Sequence, residues 1–136
     1  MGSATYEFIL AEASETWPYA GRPSWVFTSR ELPVPSGADV RLAGGPVRPV
    51  YEQMRAAAGD GNIWIVGGGG LAMQFVEEDL LDELHLTIVP VVLGQGIPTF
   101  AGRLRRRLRL TGTRPFRNGM VELRYDLLRP EERRVG

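Results

Sequence analysis

Four consecutive glycines stand between a hydrophobic, strand-like segment and an amphipathic helix, in the string IWIVGGGGLAMQF at residues 63–75. Glycine lets a backbone approach a phosphate closely, and the first turn of a helix presents unpaired N–H groups and the positive end of the helix dipole. This order of elements therefore predicts a cradle for a phosphate or pyrophosphate. The residues assigned to the cradle are Gly67, Gly68, Gly69, Gly70 and Leu71.

The same glycines have a second explanation, which the sequence leaves open. A glycine turn is also required where a strand and a helix pack too closely for a side chain. The spacing fits neither the Rossmann fingerprint with its later acidic residue nor a Walker loop, because no Gly-Lys-Ser/Thr follows. The pattern thus predicts an anion site without naming its ligand.

Thr28, Ser29 and Arg30 stand where a second apolar segment, SWVFT at residues 24–28, comes to its end. Ligands of α/β sheets gather at the carboxyl ends of parallel strands. Two hydroxyls and a guanidinium suit a phosphate monoester at such an edge, although a solvated turn can have the same composition. Two strand ends that face one side of a sheet support the phosphate interpretation, and the solvated turn stays an equal alternative.

The remaining side chains exclude several kinds of chemistry. Cysteine is absent and His85 is the one histidine, which removes disulfides, thiolate nucleophiles, iron–sulfur clusters and multi-histidine sites, so no metal is predicted. His85 lies between two leucines of a predicted strand and is interpreted as a packed or hydrogen-bonded residue. The carboxylates of residues 77–83 are interpreted as a solvated helix face. No side chain is identified as catalytic.

Helices and strands alternate along the chain and must position these residues. Apolar periodicity and capping residues predict helices over 5–12, over 47–58 and after the four glycines; apolar runs predict strands at 24–28, 62–66 and 84–89, with a further short strand within 39–42. Two long strands joined at Asn118-Gly119 form a predicted hairpin. The fold class is therefore α/β, with a mostly parallel sheet flanked by helices and a C-terminal antiparallel hairpin.

The composition indicates a single globular domain of 136 residues, 43% hydrophobic and 24% charged. Sixteen basic and sixteen acidic side chains cancel, so neither nucleic acid nor a membrane is expected as a partner. The arginine-rich stretch at 103–109 is accordingly interpreted as a strand with leucines turned inward and arginines in solvent. No apolar stretch is long enough to cross a bilayer and no leader opens the chain, so a cytoplasmic location is expected.

Most of the chain resembles a known family. The string IWIVGGGGLAMQFVEEDLLDELHLTIVPVVLGQGIPTF, with TYE at 5–7, GRPSWVFTSR at 21–30 and PFRNGMVELRYDLL at 115–128, is similar to bacterial reductases of the RibD C-terminal family. These reductases share the dihydrofolate-reductase fold with the C-terminal domain of the riboflavin-biosynthesis deaminase-reductase. The resemblance implies an NADPH-dependent reductase, commonly a homodimer, that acts on a pterin-like or pyrimidine-like small molecule.

The resemblance also implies roles for particular residues. Thr5 and the helix that it opens would face the cofactor phosphates, Thr28, Ser29 and Arg30 would hold the adenosine 2′-phosphate, and the glycine run with Leu71 would line the pyrophosphate and nicotinamide. The residues that would border the substrate pocket are Leu93, Gly94, Gln95 and Gly96.

The chain also departs from the family pattern. Family members usually have a further strand and helix before the position of Met1, so the resemblance implies a chain that is short at its N-terminus. That segment supplies part of the pocket in the family, which leaves a second hypothesis open: a non-catalytic nucleotide-binding or dimerisation module. A third hypothesis is a binder of flavin or another phosphate ligand that uses the same glycine cradle.

Overall fold

The computed structural model describes residues 1–13 and 16–129, which contain three helices and five strands. In chain order these are α1 (Ser3–Glu12), β1 (Ser24–Phe27), β2 (Val40–Ala43), α2 (Val47–Ala58), α3 (Gly69–Glu77), β3 (Glu83–Ile88), β4 (Arg107–Pro115) and β5 (Val121–Leu128). Among the described residues, no helix combines the length and the apolar character needed to cross a bilayer. The predicted α/β class, with helices beside a parallel sheet and a C-terminal antiparallel hairpin, is confirmed.

The parallel sheet consists of β1 and β2, paired from Ser24 opposite Val40 to Phe27 opposite Ala43. Gly2 forms an isolated parallel bridge to Phe27, whose N–H donates to the Met1 carbonyl at 2.9 Å. β1 is therefore flanked by chain on both edges, which fits its apolar sequence SWVF. The chain passes directly from this bridge into α1, so β1 sets the position at which that helix begins.

The second sheet is antiparallel and has the strand order β3-β5-β4. β4 and β5 form the hairpin expected at Asn118-Gly119: the Phe116 N–H donates to the Met120 carbonyl at 2.8 Å, and Gly119 adopts a φ of 85° that glycine tolerates best. The register shifts by one residue between Leu110 and Gly112. The predicted C-terminal hairpin is thus confirmed, and β3 extends it to three strands.

The helices cover the parallel sheet through two groups of buried side chains. The first lies between β1, α2 and α3 and comprises Trp25, Val47, Val50, Met54, Leu71 and Phe75. The second lies between α1 and β1 and comprises Met1, Tyr6, Trp17 and Val26. The apolar periodicity of α2 and α3 predicts the inward residues of the first group, because residues three and four apart share one helix face.

Four aromatic rings connect α1 to the segment before the glycine run. Tyr6 contacts Trp17, Trp17 contacts Tyr19, and Tyr19 contacts Trp64, all edge to face, with ring centroids 5.5, 5.3 and 6.0 Å apart. Tyr6 is fully buried, whereas the Trp64 side chain is 66% exposed. The series therefore runs from the interior to the surface.

The buried strand expected at residues 62–66 is not formed, and the structure corrects this prediction. The segment has no strand assignment, and Trp64 at its centre is exposed. One cleft of about 260 Å³ separates it from β1, and another of about 640 Å³ separates it from β3. Because no strand of residues 1–13 or 16–129 pairs with this apolar run on either side, it is not part of a ladder.

The inward orientation expected for leucines of the arginine-rich stretch is also wrong in part. β4 begins at Arg107, and its residues Leu108 and Leu110 are exposed. Among the strands of the described residues, β4 pairs only with β5 and stands at the edge of the antiparallel sheet. Alternating sequence places these leucines on one face of the strand, but burial of that face requires a layer of structure that the described residues do not provide.

Candidate functional site

The glycine run brings the beginnings of two helices together. Gly67 and Gly68 have φ values of 61° and 81°, a region that side chains strongly disfavour. A Cβ on Gly67 would lie 2.9 Å from Thr5 Oγ1, and a Cβ on Gly68 would lie 3.9 Å from the Gly2 nitrogen. Gly2 and Gly68 are the residues that precede α1 and α3, so both helices begin at this turn.

Neither helix has a side-chain hydrogen bond at its N-cap. The N–H groups of a first helical turn have no partner within their own helix, and they carry the positive end of its dipole. Two such ends beside an exposed glycine turn form a polar surface suited to an anion. The predicted residue Thr5 lies directly beside Gly67. It does not open the helix as predicted: α1 begins two residues earlier, at Ser3, and Thr5 stands in its first turn.

The remaining members of the predicted cradle have different surroundings. A Cβ on Gly69 would lie 2.5 Å from the Thr99 carbonyl oxygen, so close packing alone requires glycine there. Gly70 is exposed, and only the Ala101 Cβ would come near it, at 3.9 Å. The Leu71 side chain is buried in the core, which leaves its backbone N–H as the group that could meet a ligand. The packing explanation therefore accounts for Gly69, while Gly70 and the Leu71 N–H lie in the first turn of α3 and could contact a ligand.

The predicted Thr28-Ser29-Arg30 group forms a turn directly after β1. The Thr28 N–H donates to the Ala43 carbonyl at 2.9 Å, which continues the pairing of β1 with β2 by one residue. The Thr28 hydroxyl accepts a hydrogen bond from the Arg30 N–H at 3.0 Å, and it lies 3.3 Å from the Arg30 carbonyl. The hydroxyl therefore stabilises the turn, and Ser29 and Arg30 are exposed on it.

Glu7 forms a two-pronged ion pair with Arg30. The Arg30 Nη1 and Nη2 groups donate to Glu7 Oε1 and Oε2 at 3.1 and 2.8 Å. The hydrogen bonds from Arg30 lower the pKa of the Glu7 carboxyl, so Glu7 stays ionised and is poorly suited to donate a proton. Sequence reasoning missed Glu7, although it is the last residue of the TYE string that follows Ala4.

α1 connects the two predicted phosphate regions. Thr5 in its first turn contacts Gly67, and Glu7 in its next turn contacts Arg30. The residues expected to bind a dinucleotide are therefore arranged along one short helix rather than scattered over the surface. This arrangement has the charge pattern of a phosphate site, two positive helix ends and one guanidinium, together with the Glu7 carboxylate that binds the guanidinium.

The residues predicted to border the substrate lie in a long exposed loop between β3 and β4. Leu93 is 77% exposed, and a Cβ on Gly94 or Gly96 would meet no atom within 4 Å. The glycine run instead contacts the end of this loop, at Thr99 and Phe100. The structure thus joins the loop to the glycine turn through residues other than 93–96.

His85 and the acidic residues of this region have ordinary surface partners. His85 Nε2 lies 3.2 Å from Glu83 Oε2, and both side chains are exposed, which agrees with a hydrogen-bonded histidine. Arg48 binds Glu78 at 2.7 Å. Within residues 1–13 and 16–129, no three or more metal-ligating side chains come together in a way that could hold a metal ion.

Comparison with known proteins finds similar sequences and similar solved structures. The uncharacterized protein YwjB of Bacillus subtilis (strain 168) is 34% identical over 92% of this chain and 70% of its own length. The crystal structure of a putative riboflavin biosynthesis protein from Shewanella sp. PV-4 is 27% identical, with a TM-score of 0.75 over 95% of this chain and 72% of that one.

A pyrimidine reductase-like protein from Corynebacterium diphtheriae shares the fold. Its TM-score is 0.57 at 23% identity, over 77% of this chain and 50% of that one. A family model, described as the RibD C-terminal domain, matches residues 14–122. That span includes β1, the Thr28–Arg30 turn, the glycine run and most of the hairpin. The resemblance suggested by the sequence is therefore confirmed, and the chain belongs to the RibD C-terminal domain family.

Proposed function

We propose that this protein is an NADPH-dependent reductase that transfers hydride to a pterin-like or pyrimidine-like ring. The observation that carries the proposal is the meeting of two helix N-termini without side-chain caps, those of α1 and α3, at the exposed turn formed by Gly67 and Gly68. Backbone N–H groups at a helix start favour phosphate groups, and the pyrophosphate of a dinucleotide carries two of them.

Arg30 supports the choice of NADPH over NADH. It stands on the turn after β1, and α1 links that turn to the glycine run. A guanidinium binds a phosphate monoester through two parallel N–H bonds, and the 2′-phosphate is the group that distinguishes the two dinucleotides. We assign that phosphate to Arg30 together with the hydroxyls of Thr28 and Ser29.

Family membership supports a reductase, and two solved relatives bear names that refer to riboflavin biosynthesis and to pyrimidine reductases. When bound, NADPH supplies the hydride. The residues of this chain would bind and orient it. The starts of α1 and α3 would hold the pyrophosphate, and the backbone of Gly70 and Leu71 would line the pyrophosphate and the nicotinamide side. We assign Leu93, Gly94, Gln95 and Gly96 to the border of the substrate pocket.

We also propose that the protein forms a homodimer through the segment 88–97. The large apolar side chains of this segment are exposed, with Val92 and Ile97 at 97% and 98%. An apolar patch of this kind on a soluble domain indicates an association surface. Cyclic pairs are the commonest arrangement of identical chains.

A titration with NADPH and with NADH, followed by tryptophan emission, tests the proposal. Trp64 is exposed close to the glycine run, so nucleotide bound at Gly67 and Gly68 is expected to change its emission. Wild-type protein should prefer NADPH, and Arg30→Ala should remove about tenfold to a hundredfold of that preference, the effect typical of a lost charge-assisted hydrogen-bond pair.

Trp64→Phe is the matched control, because it removes the tryptophan that stands next to the glycine run and leaves Trp17, Trp25 and the glycine turn unchanged. Binding measured by calorimetry should persist in that variant, while the emission change should be smaller than in wild type. Oxidation of NADPH in the presence of dihydrofolate or a riboflavin precursor would then distinguish a reductase from a binding module. If neither dinucleotide binds to wild-type protein, the proposal is wrong.

A further inference from the structure

The Glu7 carboxylate occupies the Nη1/Nη2 edge of Arg30, an edge through which a guanidinium can bind a phosphate. The contact joins α1 to the turn after β1 across 23 residues of sequence, with two hydrogen bonds of 3.1 and 2.8 Å. Both η nitrogens of Arg30 are thereby engaged by an anion of the protein itself. A bound phosphate must share the guanidinium with Glu7 or displace it, because one planar fork offers five N–H donors in fixed directions.

The charges at this position nearly cancel. Arg30 carries the cation that would attract a phosphate, and Glu7 carries an anion at hydrogen-bond distance from it. A phosphate that reaches Arg30 therefore also approaches a like charge, and repulsion between the two anions opposes part of the attraction. Glu7 thus reduces the benefit of a 2′-phosphate bound at Arg30.

The ion pair is also easy to open. The side chains of Arg30 and Glu7 are 57% and 45% exposed, and exposed ion pairs contribute little to folding because water screens them. Thr28 holds the Arg30 backbone through its own hydroxyl, so the turn does not depend on Glu7. Displacement of the Glu7 side chain would leave both α1 and the turn in place.

We infer that Glu7 is a specificity-determining residue, which competes with the 2′-phosphate of a dinucleotide for the Arg30 guanidinium and so limits the preference for NADPH over NADH. The inference rests on the proposed function, since it concerns the same Arg30 pocket. Its distinctive consequence is that removal of the carboxylate charge strengthens the binding of 2′-phosphorylated ligands. A residue that merely supported the fold would have the opposite effect or none.

Calorimetry on Glu7→Gln tests the inference with NADPH, NADH and adenosine 2′,5′-bisphosphate as ligands. The variant should bind NADPH and adenosine 2′,5′-bisphosphate about tenfold more tightly than wild type, because one full charge is removed from beside a dianion. Its affinity for NADH should rise by a smaller factor than its affinity for NADPH, because NADH carries the pyrophosphate but lacks the 2′-phosphate that would meet the Arg30 guanidinium. In Glu7→Gln/Arg30→Ala, the gain should disappear.

Glu12→Gln is the matched control, because it makes the same charge change in the last turn of the same helix. Five residues of helix separate the two positions by about 7.5 Å along the axis and by about 140° around it, so Glu12 lies on a different side of α1, farther from Arg30. This control should bind all three ligands as wild type does. Equal gains in Glu12→Gln and Glu7→Gln would overturn the inference in favour of a general charge effect.

Two further outcomes separate this inference from the proposed function. If Glu7→Gln binds NADPH no more tightly than wild type, or more weakly, Glu7 does not compete for Arg30, yet the NADPH site stands. If neither dinucleotide nor the bisphosphate binds to wild type or any variant, the proposed function fails and the role of Glu7 with it.

Discussion

Gly69 and Gly70 are neighbours in α3, yet an added methyl group would meet very different surroundings at each. At Gly69 it would lie 2.5 Å from the Thr99 carbonyl oxygen, and at Gly70 its nearest neighbour would be the Ala101 Cβ at 3.9 Å. Gly69→Ala should therefore destabilise the protein by about 1–3 kcal/mol, the usual cost of forcing a group into packed space. Urea denaturation would measure it.

Gly70→Ala is the control for that prediction. Alanine costs less backbone entropy than glycine in a helix, so this variant should be unchanged or more stable by up to about 1 kcal/mol. Equal losses in the two variants would show that close packing does not require glycine at position 69.

The pKa of Glu7 depends directly on Arg30. Hydrogen bonds from the guanidinium lower it below the ordinary value of 4.5. In Arg30→Ala, an NMR titration of Glu7 should therefore show a higher pKa than in wild type. Since the folded pKa is depressed, the stabilisation from this pair is present above pH 4.5 and is lost as the pH falls through the folded value. An unchanged Glu7 pKa in Arg30→Ala would contradict the observed ion pair.

At the scale of elements, the segment 62–66 differs from its sequence prediction because it has no paired strand beside it. It has a strand-like sequence but no ladder, and clefts separate it from β1 and β3. Amides that lack strand pairing open to solvent more readily than those in a ladder. The N–H groups of Ile63, Trp64 and Ile65 should therefore exchange with deuterium at least about tenfold faster than those of β5, measured by NMR.

An internal reference for the exchange measurement is available in β1, a short strand with chain on both edges. Slow exchange at 63–65, equal to that of Val26, would show that this segment is paired in solution.

Much of the fold could be predicted because it depends on local pattern. Apolar spacing identifies α2 and α3, and Asn118-Gly119 identifies the hairpin, since both rest on residues close in sequence. The apolar pattern at 62–66 predicts a strand that the structure does not form. The pattern reflects the residues of that segment alone and does not show whether a partner strand lies beside it. The exposed leucines of β4 went unpredicted for the same reason.

The candidate site was predictable in part. The glycine run predicts a turn, and the structure confirms that Gly67 and Gly68 have backbone angles suited to glycine. The contact of Thr5 with Gly67 and that of Glu7 with Arg30 arise from chain segments more than twenty residues apart. No spacing rule relates such pairs, so only the folded chain places Glu7 beside Arg30.

At the scale of the whole molecule, the exposed segment 88–97 should govern self-association. A glutamate in place of Ile97, whose side chain is 98% exposed, would place a charge in the proposed contact and should weaken dimerisation by about tenfold or more. Sedimentation over a range of concentrations would measure this. Folding should be unaffected, because the side chain contributes nothing to either core group.

Val34→Glu is the matched control. Val34, like Ile97, is an exposed β-branched apolar residue, 47% exposed, but it lies in the connection between β1 and β2. It should leave the dimer intact. A wild-type protein that remains monomeric at all concentrations would refute the proposed association surface.

The edge-to-face series of Tyr6, Trp17, Tyr19 and Trp64 gives the molecule a built-in chromophore array. Rings held at fixed mutual angles acquire optical activity in the near ultraviolet, which vanishes once tertiary packing loosens. Because one end of the array belongs to α1 and the other adjoins the glycine turn, its circular dichroism would register any shift of the helix relative to that turn. Near-ultraviolet circular dichroism therefore reports whether α1 and the glycine turn, the two parts of the proposed phosphate site, keep their relative position.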